Sequence, residues 1–441
     1  MNNITVNFAK TLGPVKPMHS VNNGPAGGGV RGGNTSRDLL RAAGIPFSRN
    51  HDASFSNEHL VDVHRIFKNF DADENDPNSY RFESTDAYVK ATIDAGMQVF
   101  YRLGASIEHG QKYGTFPPKD NAKWARICEH IIMHYNEGWA DGFEYGIKYW
   151  EIWNEPDCRN RDGSNPCWQG TDEQFVELFV TALGYLKKRF PDLKIGGPAF
   201  CGPWDDRYNN LLLGAVKEAG IPLDFFSYHG YRKDPNNFGE DIVHARELLD
   251  KWGFTETETI LNEWNYIRGW FADEWTYSLK MEKSLKGSSF IAGTMCVCQA
   301  GPLDHLMYYD ARICGMNGMF TAAFEPLKGY YPFPMFNELY KMGTSVEHTS
   351  DSDNLLAVAA TDGKNGGMML TYFDDNDDAP AREVKVDFTG SGAGKKRVQY
   401  YLLDETHDAT LMREEIFTAD EFSAYLTMPL FTTYGIKVTV E

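Results

Sequence analysis

Residues 149–157 read YWEIWNEPD, and this stretch gives the clearest indication of the fold. Its first part is aromatic and apolar, which is typical of a buried strand. Pro156 cannot donate a hydrogen bond to a continuing β-ladder, so the strand is expected to end beside Glu155. α/β barrels carry their chemistry at the carboxyl ends of their strands, so this stretch predicts a barrel strand with Glu155 at its active end, provided that the segments around it supply the other strands.

Short apolar runs alternate with helical patterns on both sides of this stretch, as repeated βα units require. Eight runs qualify as strands, at residues 15–21, 45–49, 98–103, 147–154, 194–198, 225–229, 259–263 and 305–309. Eight parallel strands with intervening helices predict a closed (β/α)8 TIM barrel over residues 14–343. One helix has a well-defined start, because Thr171 followed by Gln174 forms a capping-box pattern.

The sequence pattern changes after residue 343. Five short β-rich runs follow, separated by clusters of Asp, Asn and Gly, at residues 355–361, 368–373, 383–388, 398–403 and 432–440. This spacing predicts an antiparallel β-sandwich domain over residues 344–441. Residues 4–8 also alternate apolar and polar side chains. We therefore expect the N-terminal segment 1–13 to add a strand to the sandwich, and the fold class to be α/β.

A second carboxylate closes another candidate strand. Residues 257–265 read TETILNEWN, and Glu263 follows their β-branched and apolar part. Strand-end residues of a closed barrel converge on one mouth, so Glu155 and Glu263 are expected to lie together. Glycoside hydrolysis needs two carboxyl groups that flank the scissile bond. The alternative is that both are solvated carboxylates without a role, but a pair with one member inside Trp-Asn-Glu-Pro favours catalysis.

These stretches resemble glycoside hydrolases of clan A, and within it family 39, which includes β-xylosidases and α-L-iduronidases. The resemblance rests on WNEP at residues 153–156 and NEW at residues 262–264, with support from SYHGY at residues 227–231. It extends to the early barrel and to the terminal sandwich. It implies a retaining mechanism, in which Glu263 attacks the anomeric carbon while Glu155 protonates the leaving oxygen and later deprotonates water.

The resemblance also implies a set of residues around the sugar. Tyr231 and Arg49 are expected to donate hydrogen bonds to the nucleophile. Asn154 and His229 are expected to contact the sugar. The remaining candidates for the substrate pocket are His51, Asp52, His19, Trp264 and Tyr308. For each of these secondary residues a packing role in the barrel is an equally good interpretation.

The leading hypothesis is a retaining exo-glycosidase that removes a terminal sugar from an oligosaccharide, with β-xylosidase as the default. The exo preference rests on residues 50–82 and on the aromatic loop at residues 264–275, which are long enough to wall off a pocket. An endo-glycanase with an open cleft is one alternative, and an arabinosidase, galactosidase or glucosidase is another. A non-catalytic carbohydrate-binding protein that keeps the barrel is an alternative from a different class.

Composition limits the partners of the chain. A net charge of −19 repels the phosphate backbone, so nucleic acid is excluded, and no apolar run is long enough to span a membrane. The N-terminal residues lack a signal-peptide pattern, and the seven scattered cysteines suit a reducing cytoplasm. We therefore expect free thiols, with a Cys158–Cys167 disulfide as the alternative for an exported enzyme. Residues 71–83 lack the glycine of a calcium loop, so we expect neither a metal nor another cofactor. A homo-oligomer is compatible with this composition, and the identity of the sugar stays open.

Overall fold

The computed structural model describes residues 1–28, 33, 35–52 and 59–441, and it folds them around two β-structures. The first is a closed barrel of eight parallel strands, and the second is a nine-stranded sheet. The predicted TIM barrel and terminal sandwich-like domain are thereby confirmed. Strand β1 (Asn2–Pro14) precedes the barrel and belongs to the nine-stranded sheet, as the alternation at residues 4–8 predicts.

The barrel strands close in chain order. They are β2 (Ser20–Asn22), β3 (Phe47–Asn50), β4 (Gln98–Leu103), β5 (Tyr149–Ile152), β6 (Lys194–Phe200), β7 (Phe225–Arg232), β8 (Glu258–Tyr266) and β9 (His305–Tyr308). The helices are α1 (Arg37–Ala43), α2 (Val63–Ile66), α3 (Glu83–Asp94), α4 (Asn121–Asn136), α5 (Asp172–Arg189), α6 (Asp206–Ala219), α7 (Asn237–Trp252), α8 (Ala272–Met281), α9 (Leu285–Ala300) and α10 (Pro332–Met342). In the described part of the chain, no helix has the length and apolar character needed to cross a membrane.

The barrel interior is layered, because alternate residues of a strand face the same side. A buried apolar layer fills the barrel near the starts of the strands, formed by Phe47, Phe100, Tyr149, Phe225, Ile260 and Met307. Two residues further along five of these strands the buried side chains become polar: Arg49, Arg102, Glu151, Ser227 and Asn262. The apolar layer closes the bottom of the barrel, so polar chemistry is confined to the end at which the strands finish.

Strand β5 is shorter than predicted. It ends at Ile152, two residues before the predicted end at Asn154. Trp153 has a φ of 78° and Glu155 a φ of 47°, both in the left-handed region that side chains other than glycine rarely adopt. This turn in the backbone ends the strand at Ile152, before the chain reaches Pro156. It also lets the Glu155 N–H donate a hydrogen bond of 2.8 Å to the carbonyl oxygen of Ala199 on β6.

Helix α5 follows the loop that leaves Glu155, and it begins as predicted. The Thr171 side chain accepts a hydrogen bond from the backbone N–H of Gln174, and the Gln174 side chain accepts one from the Thr171 N–H. A capping box of this kind satisfies two backbone donors that the first helical turn leaves free. It fixes where the loop between β5 and α5 ends.

The nine-stranded sheet differs from the prediction in two respects. Its C-terminal strands are β10 (Thr344–Ser350), β11 (Leu355–Thr361), β12 (Gly366–Tyr372), β13 (Arg382–Thr389), β14 (Lys396–Leu403), β15 (Asp408–Phe417), β16 (Phe422–Met428) and β17 (Thr433–Val440). The sequence pattern missed β10, β15 and β16. Pairing is antiparallel except between β1 and β13, which run parallel. The sheet encloses a hydrophobic core of its own, separate from the core around the barrel.

Candidate active site

Glu155 lies at the mouth of the barrel, just beyond the end of β5. Its carboxylate Oε1 is 2.7 Å from Nδ1 of His229, which is fully buried on β7. The second oxygen, Oε2, lies 3.9 Å from the Cys167 thiol. Burial raises the pKa of Glu155 to about 8, so the carboxyl group holds its proton at neutral pH.

Glu263 lies across the mouth from Glu155, on β8, and its side chain is almost completely buried. The Tyr231 hydroxyl donates a hydrogen bond of 2.5 Å to Oε1, and Arg49 Nη1 donates one of 3.2 Å to Oε2. Burial raises the pKa of Glu263 to about 7, while His229, Arg49 and the Tyr231 hydroxyl act in the opposite direction. Both donors stabilise the ionised carboxylate.

The two carboxyl groups are close together. An oxygen of Glu155, a ring nitrogen of His229 and an oxygen of Glu263 all lie within 4.8 Å of one another. His229 separates them on one side, with Nδ1 toward Glu155 and Nε2 3.7 Å from Glu263 Oε2. Burial lowers the pKa of His229 to about 4, so the ring is neutral at neutral pH. A neutral imidazole can donate from one nitrogen and accept at the other.

Arg49 connects the parts of the site. Its guanidinium is completely buried and donates to Glu263, to Glu151 Oε2 at 2.7 Å and to Asn154 Oδ1 at 2.8 Å. A further bond of 3.1 Å reaches Asn22 Oδ1. A guanidinium has five N–H donors in a fixed plane, so one side chain orients several acceptors at once. The amide oxygen of Asn154 is held in this way, and its amide nitrogen remains for another partner.

Glu151 is the buried counter-charge of Arg49. Besides the Arg49 bond, its carboxylate accepts hydrogen bonds from the Ser227 hydroxyl at 2.6 Å and from the Asn262 amide. A buried carboxylate is tolerated when it is paired and its oxygens are hydrogen-bonded. Glu151 therefore supports the layer below the mouth. The strand alternation that places Glu151 and Asn262 inward could have indicated this role from the sequence.

His51 and Asp52 lie on the Glu263 side of the mouth. Arg102 Nε donates to His51 Nδ1 at 3.0 Å, which assigns the ring proton to Nε2. That nitrogen lies 3.5 Å from Asp52 Oδ1 and 4.0 Å from Glu263 Oε2. Burial lowers the pKa of His51 well below its usual range, so the ring is neutral. The structure thus brings both predicted residues to the site.

Tyr309 was missed by the sequence analysis. Its hydroxyl donates a hydrogen bond of 2.9 Å to Asp52 Oδ2, and the same oxygen is 3.2 Å from Arg312. Tyr309 is the residue after Tyr308, the predicted pocket residue. Because successive strand residues face opposite sides, a shift of one residue exchanges a site residue for a packing residue.

Three predicted pocket residues are corrected by the structure. Tyr308 points away from the mouth: its ring packs on Trp264 and Phe333, and its hydroxyl accepts from the Gly318 N–H at 3.0 Å. Trp264 also faces outward, against Phe238 and Phe290, because its neighbour Glu263 occupies the inner face.

His19 is the third correction. It precedes the short strand β2, so it lies at the start of the strand and away from the mouth. Its buried ring packs against Phe336 and Tyr340 of α10, with centroid distances of 5.3 and 5.0 Å. The predicted strand at residues 15–21 would have ended beside His19, whereas the observed strand begins there.

The aromatic loop after β8 lies beside the mouth. The Trp270 ring packs edge-on against Tyr231 at 5.0 Å and stacks on Trp275 at 5.4 Å. Trp270 is 48% exposed, so much of its surface remains open to a ligand. Part of the other predicted wall, residues 53–58, lies outside the described residues.

Among the residues that the structure describes, two groups of side chains have the composition and spacing of cation ligands. One is the group of Glu155, His229 and Glu263, and the other is formed by Glu155, Cys158 and Cys201. The seven cysteines, all within the described ranges, are unpaired. Cys158 and Cys167 accordingly form no disulfide, and both lie close to the Glu155 carboxylate.

Comparison with known proteins identifies the family. Residues 3–279 match the family model of glycosyl hydrolases family 39. The chain therefore belongs to glycosyl hydrolases family 39, as the resemblance of its two glutamate motifs predicts.

Two curated relatives are both β-xylosidases. The protein from Caldicellulosiruptor saccharolyticus is 26% identical over 189 residues, which cover 39% of this chain and 37% of that protein. The protein from Geobacillus stearothermophilus is 30% identical over 148 residues, 32% of this chain and 25% of that protein. The alignments thus span about a third or less of the relatives' length.

A solved structure extends the likeness of fold to the whole chain. A glucosidase from Croceicoccus marinus superposes with a TM-score of 0.82 at 22% identity, covering 100% of this chain and 99% of that one. At this identity the likeness shows the fold alone. It places the barrel and the nine-stranded sheet together in one known architecture.

Proposed function

We propose that the chain is a retaining glycosidase that hydrolyses O-glycosyl bonds, with Glu263 as nucleophile and Glu155 as acid/base. The observation that carries the proposal is the spacing of the two carboxyl groups, whose nearest oxygens are no more than 4.8 Å apart. Retaining glycosidases hold their carboxyl groups about 5–5.5 Å apart, whereas inverting enzymes need about 6.5–9.5 Å to admit a water molecule.

The surroundings of the two glutamates support different roles. Glu155 faces a neutral histidine and a thiol, and its pKa is raised to about 8. Glu263 faces the Arg49 guanidinium and the Tyr231 hydroxyl, which favour the anion. An acid must carry a proton at working pH, and a nucleophile must be ionised. The proton therefore belongs on Glu155.

The position of the His229 ring proton follows from the protonation states of the two glutamates. With Glu155 protonated, its O–H donates to Nδ1 of His229, and the ring proton then sits on Nε2, facing the Glu263 carboxylate at 3.7 Å. The neutral ring thus connects a protonated acid to an ionised nucleophile without carrying charge. Substrate entry releases the Glu155 proton for the glycosidic oxygen.

The reaction proceeds in two displacements. Glu263 forms a bond to the anomeric carbon while the bond to the leaving oxygen breaks, and Glu155 gives that oxygen its proton. Glu155, now ionised, takes a proton from water as the water oxygen attacks the anomeric carbon and releases Glu263. Asn154, held through its oxygen by Arg49, can direct its amide N–H groups to a sugar hydroxyl.

β-Xylosidase is the proposed specificity, supported by the names of both curated relatives. Exo action is supported by the aromatic loop, in which Trp270 packs on Tyr231 at the edge of the mouth. A glucosidase is the second candidate, because the superposed structure with the same architecture carries that name. Hydrolysis of p-nitrophenyl β-xyloside and β-glucoside separates the two, and chain shortening of xylan without release of xylose would contradict exo action.

The catalytic roles are tested by chemical rescue. Glu155→Ala should lose activity on poor leaving groups and recover it on an activated aryl β-glycoside when azide is added, with a β-glycosyl azide as product. Glu263→Ala should instead yield an α-glycosyl azide, because azide then takes the place of the nucleophile. A wild-type chain that binds sugars tightly but hydrolyses no glycoside would favour a non-catalytic carbohydrate-binding protein.

A further inference from the structure

Three thiols surround the Glu155 carboxylate, and the proposed reaction uses none of them. Cys158 and Cys167 lie in the loop between β5 and α5, and Cys201 follows β6 directly. A carboxylate oxygen of Glu155 and the Cys158 and Cys201 sulfurs all lie within 4.8 Å of one another.

We infer that Cys158, Cys201 and Glu155 form a binding site for a thiophilic divalent cation of the zinc class, and that its occupation inhibits the enzyme. The inhibitory half of this inference rests on the proposed role of Glu155. The Cys167 sulfur, 3.9 Å from Glu155 Oε2, lies beside this group but is not one of the three ligand atoms that lie within 4.8 Å of one another. Two sulfurs and one carboxylate oxygen suit tetrahedral zinc or cadmium, with a water molecule in the fourth position.

The spacing fits such an ion. Zinc binds sulfur at about 2.3 Å and carboxylate oxygen at about 2.0–2.2 Å, so tetrahedral ligands lie about 3.5–3.8 Å apart. Ligand atoms that already lie within 4.8 Å of one another need to move by about 1 Å or less. Side-chain rotation is sufficient for this movement.

The backbone around the thiols is fixed. The Cys201 N–H donates to both carboxylate oxygens of Asp157, at 3.0 and 3.1 Å, which joins the two loops that carry the ligands. The Cys167 N–H donates to Asn165 at 2.7 Å, and its carbonyl accepts from the Trp153 indole at 2.9 Å. Cys201 is exposed and Cys158 half-buried, so an ion can enter from solvent.

Occupation blocks catalysis for a chemical reason. A carboxylate that coordinates a cation cannot keep the proton that it must deliver to the leaving oxygen. The site uses the Glu155 oxygens but neither His229 nor Glu263. An ion bound by the thiols therefore differs from an ion held by the group of Glu155, His229 and Glu263, which contains no sulfur.

Cadmium titration tests the site without substrate. The full-length reduced chain should develop the ultraviolet thiolate-to-cadmium charge-transfer band with one equivalent of Cd²⁺. Cys158→Ser and Cys201→Ser should each lower the affinity for Cd²⁺ by about 100-fold or more. Replacing a residue that only hydrogen-bonds to a metal ligand already lowers metal affinity by about 10- to 100-fold. Cys128→Ala, which removes a buried thiol of α4, should leave the band unchanged.

The proposed site would be contradicted if the wild-type chain showed no charge-transfer band. It would equally be contradicted if the band persisted in the Cys158→Ser/Cys201→Ser double variant. Alanine replacements at the same positions, with circular dichroism of each variant, separate loss of a ligand from loss of the fold. Because no glycoside is present, failure of the proposed function leaves this outcome unaffected.

Zinc inhibition of p-nitrophenyl glycoside hydrolysis tests the effect on activity, each variant being compared with its own zinc-free rate. Inhibition should be reversed by a chelator and should weaken by about 100-fold in Cys158→Ser. Equal zinc sensitivity in Cys158→Ser and wild type would place the ion on Glu155, His229 and Glu263 and contradict the inference.

Discussion

The Arg49 guanidinium lies 3.2 Å from Glu263 and 2.8 Å from Asn154, so one buried side chain positions both the proposed nucleophile and the residue that precedes the proposed acid/base. Arg49 comes from β3, and its third partner, Glu151, lies below the mouth on β5. The geometry of the site therefore depends on the register of strands that are distant in sequence. Substitutions in this network should separate catalysis from simple packing.

Arg49→Lys should lower kcat/KM by about 100- to 1000-fold, which is typical of the loss of an aligned donor. Lysine keeps the charge but cannot reach Glu263, Glu151 and Asn154 together, because an ammonium lacks the planar arrangement of donors. The matched control is Arg246→Lys in α7, whose guanidinium bonds to Asp250 and to backbone carbonyls. Steady-state kinetics with folding checked by circular dichroism measures both. Equal activity of the two variants would contradict a positioning role for Arg49.

Tyr231→Phe should lower kcat/KM by about 10- to 100-fold, because a hydrogen bond to a charged group contributes about 1.5–3 kcal/mol. Loss of the donor raises the pKa of Glu263, so the acid limb of the pH profile should move to higher pH. Tyr228→Phe is the control on the same strand, since its buried hydroxyl has no partner among the described residues. An unmoved acid limb in Tyr231→Phe would show that Tyr231 does not act on the nucleophile.

The pH dependence of kcat/KM should be bell-shaped. Activity rises as Glu263 loses its proton, with a pKa of about 7, and falls as Glu155 loses its proton, with a pKa of about 8. Because the two groups interact, the limbs report the pair. Glu155→Gln, assayed with an activated aryl glycoside, should keep the acid limb and lose the alkaline limb. An alkaline limb that survives in this variant would assign the acid to another residue.

Glu155 should also reduce stability at high pH. Its folded-state pKa of about 8 exceeds the usual value of 4.5, so its favourable contribution is fully present below pH 4.5 and is lost progressively as the pH rises from there through about 8. Glu155→Gln should therefore raise the free energy of unfolding at pH 9 by about 2–4 kcal/mol and leave it unchanged at pH 4. Urea unfolding at both pH values measures this, with the exposed Glu173→Gln as control. An equal gain at both pH values would contradict ionisation as the cause.

Much of the barrel could be predicted because each strand carries a local signal. Buried parallel strands are continuous apolar runs, and Pro156 marks where the informative strand stops. The left-handed backbone at Trp153 and Glu155 has no such signal, since neither residue favours a positive φ. The strand therefore ended earlier than the sequence pattern indicated, although Glu155 still reached the mouth.

The terminal sheet shows where local patterns fail. Strand β15 is largely exposed, and its apolar residues stand in adjacent pairs such as Leu411-Met412, so it lacks the alternation that marks a half-buried strand. Its position depends on pairing with β14, which is a tertiary contact. The parallel pairing of β1 with β13 likewise joins segments that are far apart in the sequence, and neither segment carries a local signal of it.

Whether a side chain points into or out of the barrel decides which of the predicted site residues lie at the mouth. The pair Glu155 and Glu263, with Arg49 and Tyr231, is brought together as the motifs indicated. The prediction of Tyr308 as a pocket residue was wrong by one position, because the neighbouring Tyr309 donates the hydrogen bond to Asp52. Motif resemblance locates a strand end, but the face of each residue depends on register within the closed barrel.

The central claim is that Glu263 forms a covalent bond to the sugar, and trapping of that intermediate tests it most directly. Incubation with a 2,4-dinitrophenyl 2-deoxy-2-fluoro-β-xyloside, or with the glucoside if that is the better substrate, should add one fluorosugar per chain. Peptide mass spectrometry should place the label on Glu263, and Glu263→Gln should remain unlabelled. A label on any other residue, or hydrolysis with an inverted anomeric product and no adduct, would contradict the account.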